Sequence, residues 1–204
     1  MANHSTKENI EVEIRALVEN ISPLQKAIIS QGGKYHGEYY LHDIYFCRKE
    51  YTQLKEVEMN KVGSYGLRLR KSKDYGGKRE TTLNSKTITK EDDHNAWEEH
   101  EVAVGDFVEA AKILLLTEFK PFFELEKTRH HYVLDGFDIF VEDIKDFGCC
   151  IEVEIMTEPG KETSAKNKIL TLLGRLGIES DKIVPKSVTN LIMHERAFKQ
   201  SVEI

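Results

Sequence analysis

The residues best suited to chemistry in this chain are charged pairs spaced two apart. Glu11 and Glu13 lead into Arg15 in "IEVEIR", and Glu152 and Glu154 sit in a second "IEVEI". Arg68 and Arg70 share that spacing in "GLRLRK", Glu99 and Glu101 in "WEEHEVAV", and Lys127 and Arg129 in "ELEKTRHHY". Residues i and i+2 of a strand point to one face. Each pair therefore delivers two like charges to one surface, with branched residues such as Ile10, Val12 and Ile14 on the other. Like charges so placed repel unless an opposite charge lies between them. Arginine and lysine pairs match phosphate oxygens, arginine through its bidentate fork. Carboxylate pairs match a hard divalent cation that takes oxygen ligands, Mg2+ or Mn2+. A polyphosphate with bound metal is the common ligand that asks for both.

These pairs need strands to carry them. Period-two alternation predicts strands at 10–18, 41–46, 53–59, 66–71, 79–88, 97–104, 122–134, 137–143 and 150–156. Three helices interrupt them. "SPLQKAIISQGG" has Ser22 as N-cap, Pro23 at the first helical position and Gly32-Gly33 as the stop. A second helix starts from Asp106, and a third, amphipathic, ends at Gly177; a short fourth is expected around 187–198. Residues 1–9 read as a disordered tail, and the whole, 1–204, as one α+β domain built on an antiparallel sheet or barrel. If the strands close with their charged faces inward, the apolar faces point outward beneath the helices, the inverse of the usual small barrel. The alternative is a solvated sheet without a lumen, whose exposed charges contribute about 0–1 kcal/mol each.

The 204 residues are 40% hydrophobic and 31% charged, a globular composition. A net charge of −6 argues against a surface that wraps nucleic acid, but is compatible with a cationic interior. No secretory or membrane-spanning apolar run is present, which leads to the expectation of a cytoplasmic protein without a membrane partner. Cys47, Cys149 and Cys150 form neither a disulfide framework nor a metal spacing and read as reduced thiols. The eight histidines lack metal-binding spacing and read as scattered surface residues.

Over residues 10–193 the sequence resembles the CYTH domain family, the triphosphate tunnel metalloenzymes, which include class IV adenylate cyclases, thiamine triphosphatases and inorganic triphosphatases. "EVEIR" is similar to the family's E-x-E-x-K signature, "HDIYF" to its D-x-Y strand, and "LRLR" to its paired-arginine strand. "TLNSK" resembles the strand ending in a phosphate-binding lysine, here Lys86, and "EKTRHHY" the K-x-R-x-x-Y strand. "VEDIKDFGCCIEVEIMT" resembles the closing segment, with Asp143, Gly148, Glu152 and Glu154, and is nearest in look to the class IV cyclase branch.

The resemblance implies a closed antiparallel eight-stranded tunnel-like β-barrel with a polar, charged lumen and helices packed outside. It implies Mg2+ or Mn2+ on Glu11, Glu13, Asp143, Glu152 and Glu154, assisted by Glu99 and Glu101. Arg15, Arg68, Arg70, Lys86, Lys127 and Arg129 would hold a nucleoside or inorganic triphosphate, with Glu11, Glu13 and Arg15 as the catalytic set. The implied reaction is ATP to cyclic AMP and pyrophosphate. Triphosphate hydrolysis is the alternative, a non-catalytic polyphosphate- or nucleotide-binding module a further one, and a homodimer is an open assembly state. Two departures stand out. Arg15 replaces the usual lysine and, always protonated, cannot serve as a general base; Trp97 stands where many members have arginine.

Overall fold

Alternation of branched apolar and charged residues drives much of the chain into strands, as the computed structural model shows for the described residues, 10–196. The expected tail at 1–9, and the end of the fourth helix beyond 196, lie outside the described residues. The elements run β1 (Ile10–Val18), α1 (Ile21–Ser30), β2 (Lys34–Arg48), β3 (Tyr65–Asp74), β4 (Arg79–Ile88) and β5 (Ala96–Ala103). They continue with α2 (Phe107–Leu116), β6 (Phe119–Leu134), β7 (Phe137–Ile144), β8 (Gly148–Thr157), α3 (Glu162–Arg175), β9 (Ile183–Val184) and α4 (Val188–Arg196). No helix among the described residues is long and apolar enough to cross a membrane.

The strands are antiparallel in the order β5-β4-β3-β2-β6-β7-β8-β1, and β1 pairs back to β5 through Glu11↔Trp97 and Val12↔Ala96. That seam closes an eight-stranded barrel with its helices outside. A further bond, Glu13 N–H to Asn95 O at 3.1 Å, extends the seam into the loop before β5. Two-residue β9 pairs beside β1. The two IEVEI segments are direct neighbours, with Glu13 opposite Glu154 and Arg15 opposite Glu152.

The apolar core lies outside the barrel wall. Val12, Ile14, Ile139, Val141, Ile151 and Val153 pack under Leu24 and Ile28 of α1 and Ile169, Leu172 and Leu173 of α3. Ile44, Phe46 and Leu69 pack under Ala111 and Leu114 of α2. Each such side chain contributes about 1.5–3 kcal/mol when removed from water. The helix α4 lies at one end of the lumen, where Val188 and Ile192 join Leu125, Ile144 and Cys150. With the wall's outer face apolar, the inner face is left to the charges.

Two expectations are corrected. The segment 53–59 is not a strand: it holds a 3-10 turn at Leu54–Glu56, because the Glu56 carboxylate accepts from the N–H groups of Thr52 and Gln53, both at 2.7 Å. These local bonds replace a ladder that no strand was left to supply, since β2 already pairs with β3 and β6. The cap of α1 is Asn20, whose side chain accepts from Ser22 N–H at 2.9 Å, so Ser22 lies inside the helix. Asp106 caps α2 as expected, accepting from Glu109 N–H at 2.9 Å. The Gly32-Gly33 stop is also as expected, with Gly32 at φ +94°.

Gly33 has a steric reason as well: a Cβ there would lie 2.4 Å from Ile28 Cγ2 and 2.8 Å from Ile28 O. Gly33→Ala is therefore expected to destabilise the fold by about 1–3 kcal/mol, measured as a shift in the denaturant midpoint. An unchanged midpoint would mean that the turn relaxes at no cost.

Candidate active site

The inward faces of the barrel enclose a cavity of about 340 Å³. Glu11, Glu13, Arg15, Arg68, Arg70, Lys86, Glu99, Glu101, Lys127, Arg129, Glu152 and Glu154 all line it, so barrel closure brings together the charged pairs singled out from the sequence. Glu101 is exposed and bonds to Thr82 at 3.2 Å. The remaining wall mixes polar residues with apolar and aromatic ones, the latter including Tyr45, Tyr51, Met59, Phe122 and Met193.

Like charges mostly share a strand and opposite charges mostly meet between strands, Arg15 beside Glu13 on β1 being the exception. Lys86 Nζ is 2.6 Å from Glu11 and 2.8 Å from Glu99. Arg15 Nε reaches Glu152 at 2.6 Å, and its guanidinium also touches Glu13. Arg129 bridges Glu142 and Glu152, and Lys127 reaches Glu142 at 2.7 Å. Arg70 grips Asp43 with two bonds, 2.6 and 2.8 Å, while Arg68 stands off at 3.6 Å from Asp43 and 3.8 Å from Glu99. Interleaved this way, the pairs avoid the repulsion that their spacing along each strand would cause.

The electrostatics follow from these contacts. Burial alone would raise the Asp43 carboxyl, but Arg70 and Arg68 outweigh it and hold it far below the usual carboxylate range. Burial is likewise overcome at Glu152 by Arg15 and Arg129, and at Glu142 by Arg129 and Lys127, leaving both lowered. Glu154 goes the other way: burial raises it well above its ordinary value, and Glu152 and Glu11 add to the rise. It makes no ion pair among the described residues.

One sequence expectation needs correction. Asp143 is exposed on the outside of β7, and the inward position belongs to its neighbour Glu142, opposite Arg129. One residue along a strand reverses the face, so Asp143 cannot meet the other carboxylates. Glu152 lines the lumen, but it is held between two guanidinium groups, apart from the acidic trio.

That trio is Glu11, Glu13 and Glu154, each with a carboxylate oxygen within 4.8 Å of the others'. Its oxygen donors suit a hard divalent cation. Glu13 is completely buried, and its Oε1 makes no hydrogen bond of proper geometry despite touching Arg15. Burial also raises Glu11 against the pull of Lys86. Anionic crowding short of counter-charge is what a bound cation would relieve, so the residues present fit a divalent metal.

Several lumen residues carried no functional assignment from sequence. Asp43 and Tyr45 lie inward by the same period-two rule, a signal already present in "HDIYF". Trp97 sits beneath two cations, 6.0 Å from Arg15 and 5.9 Å from Lys86 measured to its ring centre. His94 is buried in the wall, against the expectation of a surface residue, and nothing local marked it.

A family model described as "CYTH domain" matches residues 9–188. A search of the curated proteins gives no significant match. Among solved structures, a protein from Pyrococcus horikoshii superposes with a TM-score of 0.77 at 23% identity, covering 91% of this chain and 99% of its own. An adenylate cyclase candidate from Vibrio parahaemolyticus gives 0.73 at 14% identity, covering 90% and 97%. An adenylyl cyclase candidate from Hippeastrum, described as having a dominant triphosphatase activity, gives 0.59 at 16% identity, covering 92% and 95%. At these identities the likeness is one of fold.

Proposed function

Because this chain belongs to the CYTH domain family, we propose that it is a metal-dependent enzyme that processes a nucleoside triphosphate held in its lumen. The observation that carries the proposal is the set of orphaned atoms. Among the described residues, the buried side-chain polar atoms without a hydrogen-bond partner are Glu13 Oε1, Arg68 Nε, His94 Nε2, Trp97 Nε1 and Asn60 Oδ1, and all but the last belong to residues lining this one cavity. Buried polar groups are rarely left unpaired without a functional reason.

Arg15, Arg68, Arg70, Lys86, Lys127 and Arg129 would hold the phosphate oxygens, and Glu11, Glu13 and Glu154 would hold Mg2+ or Mn2+. When bound, that ion neutralises phosphate charge and lowers the pKa of a coordinated nucleophile. The cations are already fixed by carboxylates, so a triphosphate meets charges that need little reorganisation, the condition under which electrostatic stabilisation of a transition state is largest. The aromatic and apolar side chains of Tyr45, Phe122 and Met193 offer an organic group a surface beside the charged region, which favours a nucleoside triphosphate over the inorganic form. Attack by the ribose 3′-hydroxyl on the α-phosphorus gives a cyclic nucleotide and pyrophosphate. The second reading is hydrolysis, supported by the dominant triphosphatase activity that the description of the Hippeastrum neighbour gives to that protein.

A panel of ATP, inorganic triphosphate and thiamine triphosphate with Mg2+ or Mn2+, read for both phosphate and cyclic nucleotide, tests the proposal. Turnover that requires the metal is expected. Tight binding without turnover of any of the three would make the protein a binding module instead. Arg68 is the most loosely paired cation, so Arg68→Ala should weaken triphosphate binding about 10- to 100-fold, the loss of a charged hydrogen bond of about 1.5–3 kcal/mol. Calorimetric titration measures it, and parental affinity would remove Arg68 from the site.

A further inference from the structure

Attack on phosphorus by water or a hydroxyl needs somewhere for the nucleophile's proton to go. The lumen is full of ionisable groups, but most are committed. The guanidinium groups, Arg15 included, stay protonated. Lys86 is held charged by Glu11 and Glu99 despite its burial, and Lys127 is paired to Glu142. Glu99, Glu142 and Glu152 are each lowered by the cations they face. Glu11, Glu13 and Glu154 form the proposed metal set.

His94 is different. It lies near the end of the loop between β4 and β5, beside the seam that closes the barrel, and it lines the cavity. The loop is held from several sides. Lys166 of α3 donates to both oxygens of Asp93 at 2.7 and 2.6 Å, Asn95 O accepts from Glu13 N–H, and the His94 carbonyl accepts from Arg15 at 3.5 Å. The ring is set edge-on to Trp97, 6.1 Å between centres. Its Nε2 is buried and has no partner.

We propose that His94 accepts the proton from the attacking nucleophile, the role that an arginine at position 15 cannot fill. The inference rests on the reading of the site as a triphosphate-processing one. As the nucleophile's oxygen bonds to phosphorus, its proton passes to the imidazole, whose Nε2 has no surface open to the cavity in the ligand-free protein and is reached by a turn of the ring when substrate binds. The P–O bond to the leaving phosphate breaks, and its electron pair departs with that oxygen. The imidazolium then returns the proton to the leaving phosphate or to solvent, and the imidazole is regenerated. The surroundings keep the ring neutral and ready. Burial lowers its pKa below the ordinary histidine value, and Lys186 and Arg15 add to this against Asp92 and Asp93. A contact that forms only once substrate is bound is common for catalytic bases.

The test is His94→Gln, which keeps a hydrogen-bonding side chain but no basic nitrogen. At saturating metal, kcat should fall about 10²- to 10⁴-fold, with triphosphate Kd within about twofold and an unchanged melting temperature. The parent's rate should also show an acid limb that the variant lacks, with an apparent pKa below the ordinary histidine value and the temperature dependence of an imidazole. If the variant fails to fold, the parent's profile decides: a carboxylate-like limb, or none, overturns the proposal. Parental kcat and acid limb in folded His94→Gln also overturn it, while leaving the triphosphate reading intact. A parent that binds triphosphates without turning any over would instead bring down that reading.

Discussion

Asp43→Asn is expected to destabilise the ligand-free protein by about 3–5 kcal/mol, the cost of removing one partner of a buried ion pair. Asp43 is wholly buried and accepts two bonds from Arg70, with Arg68 beside it. The amide keeps the shape and loses the charge, so two partly buried guanidinium groups remain without their shared counter-ion. A pH signature accompanies the loss. The folded pKa of Asp43 lies well below its unfolded value near 3.8. Its contribution is therefore fully present above that pH and is lost as pH falls from there toward the folded value. Denaturant titrations at pH 7 and below pH 4 should show the parent losing this increment in acid while the variant has none to lose. Inorganic triphosphate should stabilise the variant more than the parent, because the freed arginines then find their anion in the ligand. A variant as stable as the parent at pH 7 would show that the arginines are satisfied without Asp43.

Glu13→Gln should leave a folded protein whose metal-dependent turnover falls about 10²- to 10³-fold, corresponding to several kcal/mol of transition-state charge stabilisation. Glu13 is completely buried, belongs to the acidic trio and pairs across β1 and β8 with Glu154. The amide removes one anionic oxygen from the trio but leaves Arg15 its bond to Glu152. Calorimetric titration of Mg2+ or Mn2+ should show weaker binding in parallel with the rate. Parental metal affinity together with parental turnover would dissociate the trio from the metal.

The strands and their charged faces were legible because the side-chain direction in a strand is a local property with period two. That rule puts Glu11, Glu13 and Arg15 on one side without any knowledge of the fold, and it would have placed Asp43 and Glu142 inward as well. The misplacement of Asp143 came from motif resemblance overriding that rule by one residue. The segment 53–59 misled for another reason. Its alternation is real, but Glu56 ties up the backbone locally, and no strand edge was free to pair with it.

The sequence by itself determined that this protein carries like-charge pairs on strands whose other faces are apolar, and hence that those charges must either face water or face one another. Only the tertiary structure decided which opposite charges meet. Asp43 lies between two arginines and Glu152 between Arg15 and Arg129, and Glu154 joins Glu11 and Glu13. It also decided that His94 is buried at the seam with a free ring nitrogen. The reason is that a side chain's face is fixed by its own backbone, whereas its partners depend on strand register and on closure of β1 against β5, contacts between residues far apart in the chain.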